Sequence, residues 1–347
     1  PALHTVLGLS RALESGAIRE LHLRPVTLLS FCLNWGISGG RPEGFRIFNI
    51  SLHLVNGLLV YVLARRLLQG CRGIAAEAGA MAAGLFFVLH PANTESVNYL
   101  GIRGGLLLSF FTLAGVVLYL RASAEETRLK TGPFCLSIVA FVCAWASKET
   151  AVMLPALLLA CDLVMGGRAK VVRRWPVHLI YWGLLGAMLV TSYSSAGREP
   201  GGQSASLAEQ NVAIWRYLFL AVTARGLSIA HPQPTISSMA DPETLLAAGL
   251  VPAAALLSLY LLWRRSVLGL ALFWFLVSLP TPSYIASWDP LVSERRLYMA
   301  LAGGVLTIPW LLALISGIRS IRLAATGATL VLVAAAGMAT YVRNALW

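Results

Sequence analysis

Charged residues are scarce in this chain. Of its 347 residues only 12% are charged, whereas an ordinary soluble domain carries about a quarter. Acidic residues are the scarcest, with 15 Asp and Glu against 27 Lys and Arg, while 57% of the residues are hydrophobic. This balance excludes a soluble enzyme, a disordered chain and a coiled coil. Because apolar runs of membrane-spanning length recur along the chain, the sequence predicts an all-α, polytopic transmembrane helical bundle.

Motifs of soluble nucleotide and metal sites are also lacking. The sequence contains no G-x-x-x-x-G-K-[ST], no G-x-G-x-x-G and no zinc-ligand spacing. The five cysteines lie mostly inside apolar runs, which predicts small buried side chains and no metal ligands. The basic residues lie mostly at the ends of apolar segments, where they set membrane topology. We therefore expect the lipid bilayer as a partner, and no nucleic acid.

Ten apolar stretches have about the length of a bilayer span. They lie near residues 47–66, 75–90, 102–121, 133–147, 150–166, 175–195, 243–263, 267–286, 297–316 and 322–342. Two further stretches, 26–37 and 212–229, are predicted as interfacial or re-entrant helices on the outer side, since the first is too short and the second contains two arginines. Residues 1–347 are thus predicted to form one transmembrane domain.

Basic clusters follow alternate predicted spans, which fixes the expected orientation. They contain Arg65, Arg66, Arg72, Arg121, Arg128, Lys130, Arg168, Lys170, Arg173, Arg174, Arg264, Arg265, Arg319 and Arg322. The positive-inside rule assigns these connections to the cytoplasm. Ionisable and strongly polar residues otherwise collect near the opposite ends of the spans, so we expect the protein to act on the extracytoplasmic side.

The outer connections contain the candidate site residues. The cations are Arg24, Arg103, Lys148, Arg295 and Arg296, and the carboxylates are Glu95, Glu149, Asp289 and Glu294. His53, His90 and Tyr298 lie at a similar depth. Arginine recognises phosphate through paired hydrogen bonds, and a site at the membrane interface is open to lipid. We therefore predict that the cations bind a lipid-borne phosphate, and that Glu95, Glu149, Glu294, His53, His90 and Tyr298 support them or bind sugar.

Most of these residues also have a purely structural interpretation. Glu95 and Glu294 fall in first helical turns, where the helix dipole favours negative charge. Asn49, His53 and Asn56 share one helical face and could bond to neighbouring helices. We favour the structural interpretation for Asn56, and for His53 the two interpretations are balanced.

Two turns at the predicted outer side contain basic residues, Lys148 in one and Arg295 and Arg296 in the other. Lys148 and Glu149 stand between two predicted spans, and either snorkelling or anion binding accounts for them equally well. Arg295 and Arg296 stand at the outer start of a helix, where they oppose both the dipole and the positive-inside tendency. The functional interpretation is therefore favoured for this second pair.

Six phrases of the sequence occur in an order that resembles a known family. They are RPVTLLSFCLNW (24–35), FNISLHLVNGLLVY (48–61), HPANTESVNYLGIRGGLL (90–107), SKETAVMLPALLL (147–159), FWFLVSLPTPS (273–283) and SERRLYM (293–299). This series is similar to the membrane portion of the transmembrane-and-TPR O-mannosyltransferase family and its bacterial relatives, which belong to the C-type (GT-C) polytopic glycosyltransferases. The resemblance covers essentially the whole chain.

The resemblance implies a hexosyltransferase that moves a mannose-like sugar from a polyprenyl-phosphate donor to an extracytoplasmic acceptor, a protein Ser or Thr hydroxyl, with inversion. It implies a catalytic acid in the first external loop, which we expect upstream of Pro1, and TPR repeats after the last helix. The chain is therefore expected to be a fragment. Related sequences usually show Arg–x–Asp after the second span, whereas here Gly105 follows Arg103 at the acidic position.

The expected location is a bacterial inner membrane with a periplasmic active face, or the endoplasmic reticulum in a eukaryote. No cofactor is specified, and the sequence leaves open whether a divalent metal assists. Two other functions compete with transfer. A transporter or flippase for a lipid-linked or anionic solute would use the same basic pocket but needs a second, inward-facing route. A non-catalytic membrane scaffold would need no base.

Overall fold

The computed structural model describes residues 24–68, 74–125, 128–195, 206–234, 236, 241–279, 291–315 and 319–345. Throughout these ranges the regular structure is helical. In chain order the helices are α1 (Pro25–Ser38), α2 (Pro42–Leu67), α3 (Ile74–Leu89), α4 (Thr94–Asn98), α5 (Arg103–Ala122), α6 (Thr131–Trp145), α7 (Leu154–Ser195), α8 (Leu207–Thr223), α9 (Pro242–Trp263), α10 (Val267–Ser278), α11 (Leu297–Gly304), α12 (Thr307–Ile315) and α13 (Arg319–Asn344). Short 3₁₀ turns precede α4, α5, α7 and α11.

The helices confirm that the fold is all-α, and each predicted span overlaps one of them. Four segments of the described chain are long and apolar enough to cross a bilayer: Pro42–Leu67, Leu100–Ala122, Glu149–Thr191 and Pro242–Trp263. The apolar helices Ala76–Leu89, Thr131–Trp145 and Val267–Ser278 are shorter. The number of spans, ten, stays a prediction.

Two boundaries differ from the predicted ones. The spans predicted at 150–166 and 175–195 are continuous in α7 except at Gly167, where φ is 65° and ψ is −166°. Only glycine adopts this backbone conformation readily, and a side chain here would also meet the Arg265 guanidinium within about 2.3 Å. The span predicted at 297–316 is divided between α11 and α12, with a turn at Val305 and Leu306.

Helix α5 forms the centre of the bundle, packed against α2, α6, α7 and α11. Its residues Leu106, Leu113 and Val116 have no exposed surface. In contrast, α9 exposes leucines such as Leu256 over more than half of their surface. Apolar side chains on the outside of a bundle are those that lipid solvates, so this pattern agrees with a membrane protein.

One strongly polar side chain is an exception to the expected collection at the outer ends. Asp162 is fully buried in α7 near the predicted cytoplasmic end. It accepts hydrogen bonds from Tyr119 and from Nε2 of His178, the latter at 3.1 Å, and pairs with Nζ of Lys170 at 2.9 Å. A buried carboxylate requires such partners, and they come from distant parts of the sequence.

Candidate functional site: a cationic cleft

Three of the predicted cations line one small cleft. Lys148, Arg295 and Arg296 surround it together with Tyr298 and Gly105, and the remaining walls are mainly apolar. These residues come from the turn after α6, the turn before α11 and the start of α5. Residues nearly 150 positions apart thus converge, as the prediction of a shared anion site requires. We refer to this feature as the cationic cleft.

The three consecutive charges of Glu294–Arg296 serve different partners. They form a 3₁₀ turn directly before α11, and in such a turn successive side chains point about 120° apart. Glu294 therefore faces away from the cleft into the protein, whereas Arg295 and Arg296 line the cleft.

Glu294 is held in a buried polar network. Its carboxylate has no exposed surface and accepts hydrogen bonds from Arg343 of α13, from the Ser228 backbone N–H and from Nε2 of His231, the last at 3.0 Å. Nη1 of Arg343 also donates to the Pro91 carbonyl at 2.7 Å. Because its charge is compensated inside the protein, Glu294 fixes the turn that carries the two arginines.

Glu95 holds Arg295. The carboxylate accepts a hydrogen bond from the Arg295 backbone N–H at 3.1 Å and lies 3.9 Å from the Arg295 guanidinium. Burial raises the pKa of Glu95 above its ordinary value, while the positive charge of Arg295 opposes that rise. Glu95 is only 4% exposed, and it is not among the residues that line the cleft. Its geometry agrees with an orienting role.

Tyr298 and two residues of α2 anchor the base of α11. The Tyr298 hydroxyl accepts from Nδ2 of Asn56 at 3.1 Å and lies 2.8 Å from Nδ1 of His53. Nε2 of His53 lies 3.0 Å from the Val88 carbonyl, so this nitrogen is the donor and the Tyr298 hydroxyl donates to the other. His53 and Tyr298 therefore fix the start of α11, directly after the turn that carries Arg295 and Arg296.

A second ion pair fixes the Lys148 turn. Arg24 donates two hydrogen bonds to Glu149, from Nε at 3.1 Å and from Nη2 at 2.9 Å. The Thr27 hydroxyl adds a bond to the Ser147 carbonyl at 2.9 Å. Arg24 was predicted to bind phosphate, but it is not among the cleft-lining residues. Its two charge-assisted bonds hold α1 against the Lys148 turn instead.

Arg103 also differs from its predicted role. Its guanidinium has no exposed surface and donates to Oδ1 of Asn49 at 2.9 Å, to Oδ1 of Asn34 at 2.6 Å and to the Ser30 carbonyl at 3.1 Å. Three phenylalanine rings, those of Phe31, Phe45 and Phe48, lie within 5.3 Å of it. Since protein groups already surround it, Arg103 joins α1, α2 and α5 and does not face the cleft.

His90 contacts neither predicted carboxylate. Its Nε2 lies 3.0 Å from the Ala221 carbonyl, and its Nδ1 accepts from the Ala92 backbone N–H at 3.2 Å. Both ring nitrogens are therefore used by the backbone, which corresponds to a neutral ring with the proton on Nε2. His90 ties the turn before α4 to α8.

Several supporting residues were not predicted as part of the site. Arg343 and His231 stand far from SERRLYM in the sequence, and Tyr217 of α8 accepts from the Ser293 backbone N–H at 2.8 Å. Only correlated substitutions among homologous sequences could have linked Arg343 and His231 to Glu294. Asp289 lies outside the described residues. Within the described part of the chain, no three His, Cys, Asp or Glu side chains are grouped as metal ligands would be.

The fold and the cleft define an all-helical membrane protein with a cluster of cations at one end of its bundle. Over 141 residues the chain is 34% identical to protein O-mannosyl-transferase Tmtc1 of Drosophila melanogaster, which covers 41% of this chain and 15% of that protein. It is 31% identical over 160 residues to human protein O-mannosyl-transferase TMTC4, covering 43% and 22% respectively. It is 31% identical over 198 residues to D. melanogaster protein O-mannosyl-transferase Tmtc2, covering 54% and 20%.

These similarities confirm the resemblance to the TMTC protein O-mannosyl-transferase family. The matched segments span about a fifth or less of the length of these relatives. No family model matches the chain, and no solved structure matches it.

Proposed function

We propose that this chain is the donor-binding membrane portion of a glycosyltransferase. The enzyme moves a mannose-like sugar from a polyprenyl-phosphate carrier to an extracytoplasmic acceptor, a protein Ser or Thr hydroxyl. The observation that carries the proposal is the convergence of Lys148, Arg295 and Arg296 on one cleft. The named activity of the similar proteins supports transfer of mannose to protein.

In this proposal the cleft binds the donor phosphate. As the bond between the sugar C1 and the phosphate oxygen breaks, negative charge grows on the leaving lipid phosphate. Arg295 and Arg296 donate hydrogen bonds to that charge, and Lys148 contributes a third positive charge. Side chains fixed beforehand in a poorly hydrated site stabilise developing charge strongly, because they need not reorganise during the reaction.

The acceptor hydroxyl must lose its proton as it attacks C1, and a carboxylate is the natural base. The described residues that line the cleft include no Asp or Glu. Glu95 orients Arg295 and Glu294 is bound to Arg343, so neither is assigned as the base. The proposal therefore assigns no residue of the described chain as the base.

Packing of the core favours transfer over the transporter alternative. A transporter needs a polar route from the cleft to the other end of the bundle. Between these ends, α5 buries Leu106, Leu113 and Val116 completely, and they share one core cluster with the equally buried Leu154 and Leu157 of α7. The polar side chains that α5 buries in this stretch, Ser109 and Thr112, carry no charge. This uncharged layer supports a site that works from one side only.

The test is transfer of labelled mannose from polyprenyl-phosphate-mannose to an acceptor protein, with the full-length protein that contains this chain. Arg295→Ala, Arg296→Gln and Lys148→Gln each remove one cleft cation. Loss of one preorganised donor typically lowers kcat by roughly 10²- to 10³-fold, and we expect this for either arginine and less for Lys148→Gln. Arg225→Gln is the matched control, because Arg225 is exposed and outside the cleft.

Two results would contradict the proposal. Full activity of Arg295→Ala and Arg296→Gln would remove the phosphate assignment. Absence of any transfer by the folded wild-type protein, together with donor-dependent movement of lipid across the bilayer, would favour the flippase alternative.

A further inference from the structure

A second basic pocket lies at the opposite end of the bundle, with a volume of about 220 Å³. Arg66 of α2 and Lys170 and Arg173 of α7 line it, together with Leu120 of α5 and Met165 of α7. Gly105 lines the cationic cleft and Leu120 lines this pocket, so the two features are about 22 Å apart along α5 at 1.5 Å per residue. We refer to this second feature as the distal pocket.

The distal pocket has an excess of positive charge. No carboxylate is found among its described lining residues. Nζ of Lys170 forms an ion pair with Oδ1 of Asp162 at 2.9 Å and donates a hydrogen bond to the Ser123 hydroxyl at 3.4 Å. Arg66 and Arg173 belong to different helices and line the same pocket, so an anion between them would offset their like charges.

The buried network around Asp162 gives this pocket a fixed wall. Asp162 is bound by Tyr119, His178 and Lys170, and Arg174 donates to the backbone carbonyls of Glu125 and Arg128 at 2.9 and 3.2 Å. These contacts fix α7 beside the chain segment that follows α5. The cations therefore approach the pocket from two rigid helices, and preorganised charges bind anions best.

We propose that the distal pocket binds a phosphate group, either of an anionic lipid headgroup or of free inorganic phosphate. Arg66 and Arg173 hold the phosphate oxygens through forked hydrogen bonds, and Lys170, whose charge is paired with Asp162, forms part of the wall beside them. Leu120 and Met165 provide apolar surface beside the anion, which suits the glycerol end of a lipid. The pocket is separate from the proposed transfer reaction and requires no sugar donor.

The experiment measures phosphate binding by the full-length protein in two settings. In detergent, inorganic phosphate is the probe. In nanodiscs, phosphatidylcholine alone is compared with phosphatidylcholine containing phosphatidylglycerol, and the thermal unfolding midpoint is recorded. Stabilisation by phosphate in detergent identifies free phosphate as a ligand, whereas stabilisation only by phosphatidylglycerol identifies the lipid headgroup. Either result supports phosphate binding in the distal pocket, provided that the variants described next lose it.

Arg66→Gln and Arg173→Gln should each weaken binding about tenfold, which is about 1.4 kcal/mol, because each removes charge-assisted hydrogen bonds to the phosphate. Arg66→Lys should show a smaller loss, because it keeps the charge but not the fork. Arg128→Gln is the matched control, as Arg128 is exposed at the same end but outside the pocket. Unfolding midpoints without ligand show whether each variant is folded.

Equal binding by wild type and the folded Arg66→Gln and Arg173→Gln variants would overturn the proposal. So would an equal loss in Arg128→Gln, because that outcome indicates general surface attraction. Binding is measured without sugar transfer, so failure here leaves the proposed transferase activity intact, and failure of transfer leaves this pocket intact.

Discussion

Arg103 and the Arg295–Arg296 turn look alike in the sequence but have opposite surroundings. Each stands at the start of a helix on the predicted outer side. Arg103 has no exposed surface and donates to protein acceptors on α1 and α2, with three phenylalanine rings around it. Arg295 and Arg296 line a cleft with Lys148. Arginine suits both roles, and the difference lies in what surrounds the guanidinium.

The neighbouring amides explain this difference. Asn34 and Asn49 present their carbonyl oxygens to Arg103, so its hydrogen bonds are made without a ligand. Beside the arginine turn, Glu95 accepts a hydrogen bond from the Arg295 backbone N–H. Glu294 accepts hydrogen bonds from the Ser228 backbone N–H and from Arg343. These acids therefore fix the backbone of the turn, and the arginine side chains extend into the cleft.

The largest effect that would test this comparison is on stability. Arg103→Met should lower the free energy of unfolding by about 3 to 5 kcal/mol, because it leaves several buried acceptors without their donor. Arg296→Met should cost less stability than Arg103→Met while transfer falls, because Arg296 lines the cleft and Arg103 does not. The measurement is thermal unfolding of the purified protein, paired with the transfer assay. A stable Arg103→Met protein that has lost transfer would place Arg103 in the donor site after all.

The next effect concerns Glu294 within the arginine turn itself. Glu294→Gln should destabilise the protein by about 3 kcal/mol, since Arg343 is then buried without its carboxylate. Adding Arg343→Gln should restore part of this loss, because the two changes share one interaction. Unfolding of both single variants and the double variant gives the coupling. Additive losses would show that the network does not hold the turn.

The sequence was enough to predict the helical fold and four of the residues that line the cleft, Lys148, Arg295, Arg296 and Tyr298, for physical reasons. Apolar runs identify helices directly, and opposing the helix dipole singles out Arg295 and Arg296. The role of Arg103 depends on Asn34 and on the Phe31 ring of α1, and that of Glu294 depends on Arg343. These contacts join residues 49 to 72 positions apart, so no local pattern contains them. The role of Asp162 likewise depends on Tyr119 and His178, which lie in other predicted spans.

A smaller effect is expected at Gly105, where the cleft has unfilled space. A Cβ atom at Gly105 would meet nothing within 4 Å, so Gly105→Asp should fold normally. Its carboxylate would enter the cleft beside three cations and oppose a phosphate there. We expect the KM for the lipid-phosphate donor to rise about tenfold, which is roughly 1.4 kcal/mol.

Gly105→Ala is the control for size and should leave KM unchanged. Tighter donor binding by Gly105→Asp would contradict the assignment of the cleft to phosphate. It would instead indicate that the acidic position of the related sequences contacts the sugar.

The smallest expected effect is a pH dependence of stability that distinguishes the buried Glu95 from an exposed acid. Burial raises the pKa of Glu95 in the folded protein, so folding favours its protonated form. Its contribution to stability is therefore fully present below the ordinary glutamate pKa, and is lost as the pH rises through the raised value. Between about pH 4 and pH 7, wild type should lose slightly more stability than Glu95→Gln does.

The comparison uses unfolding midpoints of the two proteins across this pH range. Parallel curves would show that Arg295 compensates the burial of Glu95 completely, and a steeper loss toward acid in wild type would show that the ion pair dominates. Either result would mean that Glu95 orients Arg295 mainly through its negative charge. The expected slope, in contrast, identifies the hydrogen bond to the Arg295 backbone as the contact that orients the turn, because that bond survives protonation of the other carboxylate oxygen.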